Sequence, residues 1–287
     1  MLGAIGAGVG WWVTSPNPLP GDALAGLSGD VDRGALVFAA SGYASCHMAE
    51  DGPKDVLSGG KTFKTQFGTF VAPNISSDPV AGIGGWDDQD IANAVLRGLS
   101  PAGQHYYPVF PYGAYNKMTP QDTADLIAYL RTLPASDVPN QTNDVGFPFS
   151  IRRLNGGWKR VAMVDDWVMQ SPPTPEIERG RYLVEALGHC AECHTPRNAI
   201  GGLDTGAWMM GAPFPVGEGR VPGIAPSVLL WSADEIADYL ESGFTPDFDS
   251  AGGEMAAVVE NTAQLTDSDR MAIAQYLKAL PNEGSDD

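Results

Sequence analysis

The sequence predicts a mainly α protein made of two tandem copies of one three-helix unit, with long loops between the helices. An internal duplication, apolar stripes at helical spacing in both copies, and the lack of any convincing period-2 alternation lead to this fold class. Asp32-Arg33-Gly34 followed by ALVFAASGYASCH (35–47) returns as Glu178-Arg179-Gly180 followed by RYLVEALGHCAECH (181–194), one residue longer. Val71-Ala72-Pro73 returns as Arg220-Val221-Pro222, and Trp86-Asp87-Asp88-Gln89-Asp90-Ile91 as Trp231-Ser232-Ala233-Asp234-Glu235-Ile236. MTPQDTADLIAYLRTLP (118–134) returns as LTDSDRMAIAQYLKALP (265–281), and the offset stays between 145 and 149 throughout.

The elements follow in order within each copy. The first helix runs up to a Cys-His dipeptide, with Leu36, Val37 and Ala40 apolar in one copy and Tyr182, Leu183 and Ala186 in the other. Thr174 before Pro175 is a sound N-cap and first-position pair. A middle helix follows each tryptophan, and Ser232-x-x-Glu235 has the form of a capping box. The last helix opens at Thr119-Pro120 or at Thr266, with stripes of Leu126, Ile127, Tyr129, Leu130 and of Ala272, Ile273, Tyr276, Leu277. The expected units are 28–134 and 174–281, joined by a Pro-, Asn- and Asp-rich linker (135–173), with a leading segment (1–27) and an acidic tail (282–287).

Composition agrees with a globular two-domain chain. Its 287 residues are 43% apolar and only 18% charged, so intrinsic disorder is not expected. A net charge of -18 argues against nucleic acid as a partner and makes a basic protein face the natural complement. Leu2 to Val13 is almost wholly apolar but too short to span a bilayer, and no Lys or Arg precedes it. It reads as the later part of a signal or anchor, with Trp11-Trp12 and TSPNPLPGD marking an exit at a membrane interface; a buried N-terminal helix is the alternative. Export to the periplasm, with a membrane anchor from this incomplete segment, is the resulting expectation.

Three cysteines cannot all pair with one another, and their positions carry more than their number. Cys190-Ala191-Glu192-Cys193-His194 is C-x-x-C-H, the attachment signature of a c-type haem. Two thiols add across the porphyrin vinyl groups, and the adjacent histidine then lies beneath the iron. A zinc site would need a second ligand pair that the remaining thiol and three histidines do not offer. A thioredoxin-like dithiol calls for a strand ahead of the motif, where a helix is expected.

With that motif in hand, both halves resemble cytochrome c domains, and the pair resembles the two-haem cytochromes c that partner bacterial periplasmic dehydrogenases. The resemblance spans about 28–281 and rests also on FGTFVAPNISSDPVAGIGGW (67–86), HYYPVFPYGAY (105–115) and the closing D-x-x-A-x-x-x-Y-L helices. The first copy departs from it. It reads Tyr43-Ala44-Ser45-Cys46-His47, so only Cys46 can form a thioether while His47 keeps the ligand position. Two haems are expected, one held by a single bond; a vestigial first domain without haem is the alternative.

The resemblance implies a methionine opposite each histidine, which raises the reduction potential. In the second copy that is Met255, in a loop ahead of the last helix, with Met209 and Met210 as competitors. In the first copy Phe110 stands at the matching position, and Met118 is the leading candidate, although it also suits a hydrophobic staple before Thr119; His105 and an open site are the alternatives. Pro73 and Pro222 are implied as the carbonyls that orient His47 and His194. Phe67, Phe70, Trp86, Tyr112, Trp231 and Tyr276 are expected near the macrocycles or in the core, Thr69 and Arg220 near propionates, and His189 in solvent.

The expected function is an electron relay from a dehydrogenase toward the respiratory chain. The rivals are a two-haem enzyme of the peroxidase or thiosulfate dehydrogenase kind, and a docking or sensing module with one haem. No nucleophile elbow or catalytic triad supports a hydrolase.

Overall fold

The computed structural model describes residue 8, residues 10–49 and residues 52–281. Most of the apolar stretch at 2–13 and the whole of the acidic tail 282–287 lie outside the described residues. No helix among the described residues is long and apolar enough to cross a membrane.

The first repeat contains α1 (Val31–Ala40), α2 (Tyr43–His47), α3 (Asp88–Arg97), the single turn α4 (Tyr112–Tyr115) and α5 (Pro120–Leu130). Between the linker strand and the second repeat lies α6 (Leu154–Ala162). The second repeat contains α7 (Pro175–Tyr182), a π-helical turn (Leu183–Leu187), α8 (Ala191–His194), α9 (Ala233–Ser242), α10 (Glu254–Thr262) and α11 (Asp267–Ala279). Asp87, Thr119, Thr174, Ser232 and Thr266 cap their helices through side-chain oxygens, which satisfies backbone N–H groups that the first turn leaves free. The Ser232–Glu235 capping box closes in both directions.

Each repeat is organised by the crossing of its first and last helices. Gly34 lies against the backbone of Asp125 in α5, and Gly180 lies against the backbone of Ala272 in α11. A β-carbon at either glycine would fall about 2 Å from a carbonyl oxygen. The absence of a side chain there lets the two backbones touch, and Leu126, Ile127, Ile273 and Tyr276 are buried alongside.

The extra residue of the second repeat is absorbed at the π-helical turn, where the Gly188 N–H donates to the Leu183 carbonyl at 2.7 Å. The first helix is therefore not continuous up to the Cys-His dipeptide in either copy. Gly42 breaks the first with a positive φ of 65°, and the turn at 188–190 breaks the second.

Short strands also occur where none was expected. A hairpin pairs β1 (Thr62–Thr65) with β2 (Gly68–Val71), and the linker strand β3 (Asp144–Val145) adds to the edge of β2. Four-residue strands leave too little alternation for period 2 to stand out against loop sequence. In the second repeat β4 (Ala212–Pro213) and β5 (Arg220–Val221) pair antiparallel.

Candidate functional site

The two Cys-His dipeptides end equivalent short helices, α2 and α8, and the same backbone cradle receives both histidines. The His47 carbonyl accepts from the Gly59 N–H and the His194 carbonyl from the Gly211 N–H, each at 2.7 Å. Both glycines have positive φ and sit against the chain entering the proline segment, where a β-carbon would meet the Ala72 or Val221 carbonyl oxygen at 2.5–2.6 Å. The proline loop is thereby drawn under the imidazole. His47 Nδ1 lies 2.9 Å from the Pro73 carbonyl and His194 Nδ1 lies 2.7 Å from the Pro222 carbonyl. A carbonyl can only accept, so the proton is on Nδ1 and Nε2 carries its lone pair outward, the form a metal requires. Burial lowers both histidine pKa values, with the proline carbonyls acting in the opposite sense.

Burial raises the pKa of all three thiols, that of Cys190 to about 12. Cys190 and Cys193 stand one turn apart at the start and within α8, and Cys46 directly precedes His47 in α2. The residue set thus offers an oriented imidazole at each motif, with one thiol at the first and two at the second, which fits a covalently held haem. Tyr43, in the place of the first thiol, is buried and stacks on Tyr115 at 5.7 Å and on His47 at 6.3 Å. Its hydroxyl is buried without a hydrogen-bond partner among the described residues, and burial raises its pKa.

Met255 occupies the first turn of α10, not a loop, and is half-buried at the edge of the core. The run EMAAVVENT (254–262) following Gly252-Gly253 is a good helix former, a signal that the sequence carries openly. Met118 is buried just ahead of the Thr119 cap, in the same core cluster as Tyr43, Tyr115 and Leu126. Met209 is fully buried, and its backbone holds the Thr195 hydroxyl and the Ile224 and Ala225 N–H groups, so it braces the loop on the histidine side. His105 is buried with Nε2 at 3.1 Å from the Thr14 carbonyl, under α6.

His189 is not in solvent. It is half-buried, and its ring packs edge-on against Tyr115 at 5.7 Å. Its Nε2 lies 3.3 Å from the Ser41 carbonyl, which also accepts from the Tyr115 hydroxyl at 2.8 Å. The pattern of one chain segment gives no sign of this, because the neighbour comes from the other repeat.

The repeats meet a second time at α10. Lys61 reaches Glu254 at 2.7 Å and the Ser45 carbonyl at 3.1 Å, Asn261 donates to the Ser45 hydroxyl at 2.7 Å, and Lys54 pairs with Glu260 at 2.7 Å. The helix that carries Met255 therefore rests on the attachment motif of the first repeat. Sequence reasoning did not find Lys61, Glu254, Asn261, Gly59 or Gly211; only the two glycines, each between a motif and its proline segment, leave a trace of their role in the sequence.

Comparison with known proteins fits this geometry. The Cytochrome c family model matches residues 31–134 and again 177–281. A protein of Cereibacter sphaeroides named as a diheme cytochrome c-type protein is 53% identical over 280 residues, 96% of this chain and 95% of its own length. The fructose dehydrogenase cytochrome subunit of Gluconobacter japonicus is 35% identical over 260 residues, and the cytochrome c subunit of the alcohol dehydrogenase (quinone) of Gluconacetobacter polyoxogenes 34% over 267. Each of these two matches covers 88% of this chain, which spans 52% of the former subunit and 56% of the latter. With a match in each repeat, the chain belongs to the cytochrome c family.

Proposed function

We propose that this chain holds two c-type haems and relays single electrons, taking them from a dehydrogenase and passing them on toward a respiratory chain in the periplasm. The observation that carries this reading is the repeated His–Pro pairing, which leaves one unprotonated ring nitrogen at each Cys-His motif. Cys190, Cys193 and His194 hold one haem; Cys46 and His47 hold the other through one thioether. Bound haem supplies a one-electron iron couple, while the chain supplies ligation, burial and docking. His47 and His194 would hold iron through Nε2, Pro73 and Pro222 keep the opposite nitrogen protonated, and Met255 and Met118 would be the further ligands.

A net charge of -18 favours a partner with a basic docking face, so association slows as salt rises. The dehydrogenase subunits among the relatives support a dehydrogenase as the partner, and the uncharged apolar stretch before Thr14 supports a membrane anchor. Intact mass under denaturing conditions tests the reading: two haem additions per chain are expected, with the first lost in Cys46→Ala and the second retained. A single haem in the unaltered chain refutes the two-haem assignment and favours a docking module. Low-spin methionine-ligated spectra are expected at both haems, one lost in Met255→Ala and the other in Met118→Ala; turnover of peroxide or thiosulfate without a partner refutes the relay.

A further inference from the structure

Helix α6 in the linker wears its amphipathicity inside out. Leu154 and Val161, seven residues apart on α6, share one side of it, with Ile151 just ahead of the helix, yet Ile151, Leu154 and Val161 are 44%, 48% and 70% exposed. A helix packed on a protein core buries such a stripe. Here the buried side is Gly156, close against His105 and the Thr14 carbonyl, together with Ala162. Lys159 also turns inward, donating to the Arg97 and Gly98 carbonyls.

Beside the stripe stand Trp11 and Trp12, 68% and 67% exposed. Each indole carries an arginine from the linker: the Arg153 guanidinium lies 3.6 Å from the Trp11 ring centroid and that of Arg160 lies 4.9 Å from Trp12. Arg153 also donates to the Trp11 carbonyl and Arg160 to the Val13 carbonyl, so the N-terminal segment and α6 form one surface. Its charge is opposite to that of the molecule. Arg153 and Arg160 lie on it, and residues 147–163 contain no acidic residue, in a chain with 35 Asp and Glu against 17 Lys and Arg.

We propose that this surface, the outward face of α6 with Trp11 and Trp12, lies on an anionic lipid surface. Aliphatic side chains outermost, indoles beside them and arginines at the margin form the layering of an interfacial helix at a membrane. Local positive charge complements anionic headgroups, whereas the rest of the molecule would be repelled by them, so the charge pattern also fixes the orientation. The surface is continuous in sequence with the uncharged residues 2–13. Contact with lipid here does not depend on the haem content of the chain.

Flotation of the haem-loaded full chain with vesicles tests this. One set is phosphatidylcholine alone and the other contains one-third phosphatidylglycerol. The chain should float with the anionic vesicles, less so with the neutral ones and less at high salt. Leu154→Ser/Val161→Ser should lower partitioning about tenfold or more, with unchanged haem absorbance reporting an intact fold. Val80→Ser/Phe248→Ser, at two highly exposed apolar residues in other loops, should leave it unchanged. Equal binding by the α6 variant and the unaltered chain overturns the proposal and assigns any binding to the N-terminal stretch alone. No binding by the unaltered chain also overturns it, and capture of a purified dehydrogenase through Leu154 and Val161 without vesicle binding makes the surface a protein interface instead.

Discussion

Replacing Gly180 with alanine places a methyl group 1.9 Å from the Ala272 carbonyl oxygen, where ordinary contact begins at about 3.4 Å. The first and last helices of the second repeat would have to part by about 1.5 Å, estimated from those two contact distances. The obstacle is helix backbone on both sides, so no side-chain rotamer relieves it. Overpacking of this kind costs roughly 1–3 kcal/mol, and the upper end applies here. Alanine is about 1 kcal/mol better than glycine within a helix, which leaves a net loss of about 2 kcal/mol. That loss corresponds to a fall in Tm of roughly 5–10 °C for a domain of this size. Thermal and urea unfolding of the haem-loaded protein, followed by far-UV circular dichroism, would measure it. Gly157→Ala in α6 is the control, because its nearest neighbour beyond the local chain is the Thr14 methyl at 3.6 Å and alanine there should stabilise slightly. An unchanged or raised Tm for Gly180→Ala would mean that helix propensity dominates and that the helix crossing is not closed by this glycine. Gly34→Ala should behave like Gly180→Ala, since its β-carbon would fall 2.0 Å from the Asp125 carbonyl.

Tyr43→Cys should give the first haem a second thioether, shown by a shift of its reduced absorption band toward that of a doubly attached haem with no change in haem count; an unshifted band would show that position 43 does not face a vinyl group. Asp125 is buried, and burial by itself would raise its pKa. The Arg33 side chain, the Asp30 N–H and Gln121 outweigh this and hold it below the usual carboxylate range. The charged form is thus the one the fold binds, so its stabilisation is present at neutral pH and is lost as pH falls below about 4. Asp125→Asn should cost about 1–3 kcal/mol at pH 7, with the difference in urea midpoint shrinking in acid. Lys61→Met should change global stability by less than about 1 kcal/mol, because the Glu254 carboxylate is largely exposed, yet it should speed amide exchange across α10 by loosening its hold on Ser45.

The duplication, the three helices expected in each repeat and both histidine motifs were legible in the sequence because each depends on residues close together in the chain. The same holds for the Ser232–Glu235 box and the Thr119, Thr174 and Thr266 caps. The proline segments could be named only through resemblance, since Pro73 and Pro222 lie far along the chain from their histidines. One added residue read as a difference in length, whereas the chain accommodates it as a π-helical turn. That turn aims the buried Glu185 at the Tyr276 hydroxyl, 2.6 Å away, and at the Val168 N–H. The position of His189 and the seating of α10 on Ser45 depend on how the repeats face one another, which intrarepeat periodicity does not encode. Helix α6 was hidden for a different reason: Gly156-Gly157 weakens its propensity, and its apolar stripe faces outward.

The Ser41 carbonyl, shared between Tyr115 of its own repeat and His189 of the other, bears on how this molecule can be taken apart. A carbonyl has two lone pairs, and here each repeat uses one. Separating the repeats would strip the carbonyl of one donor and uncover His189 and the edge of Tyr115. It would also free Lys54 and Lys61 from α10. The two copies of the unit carry complementary surfaces that neither keeps when isolated. Swapping one repeat for a relative's would therefore require the incoming copy to keep its own half of both contacts, Ser41, Tyr115 and Ser45 in the first repeat or His189 and Asn261 in the second.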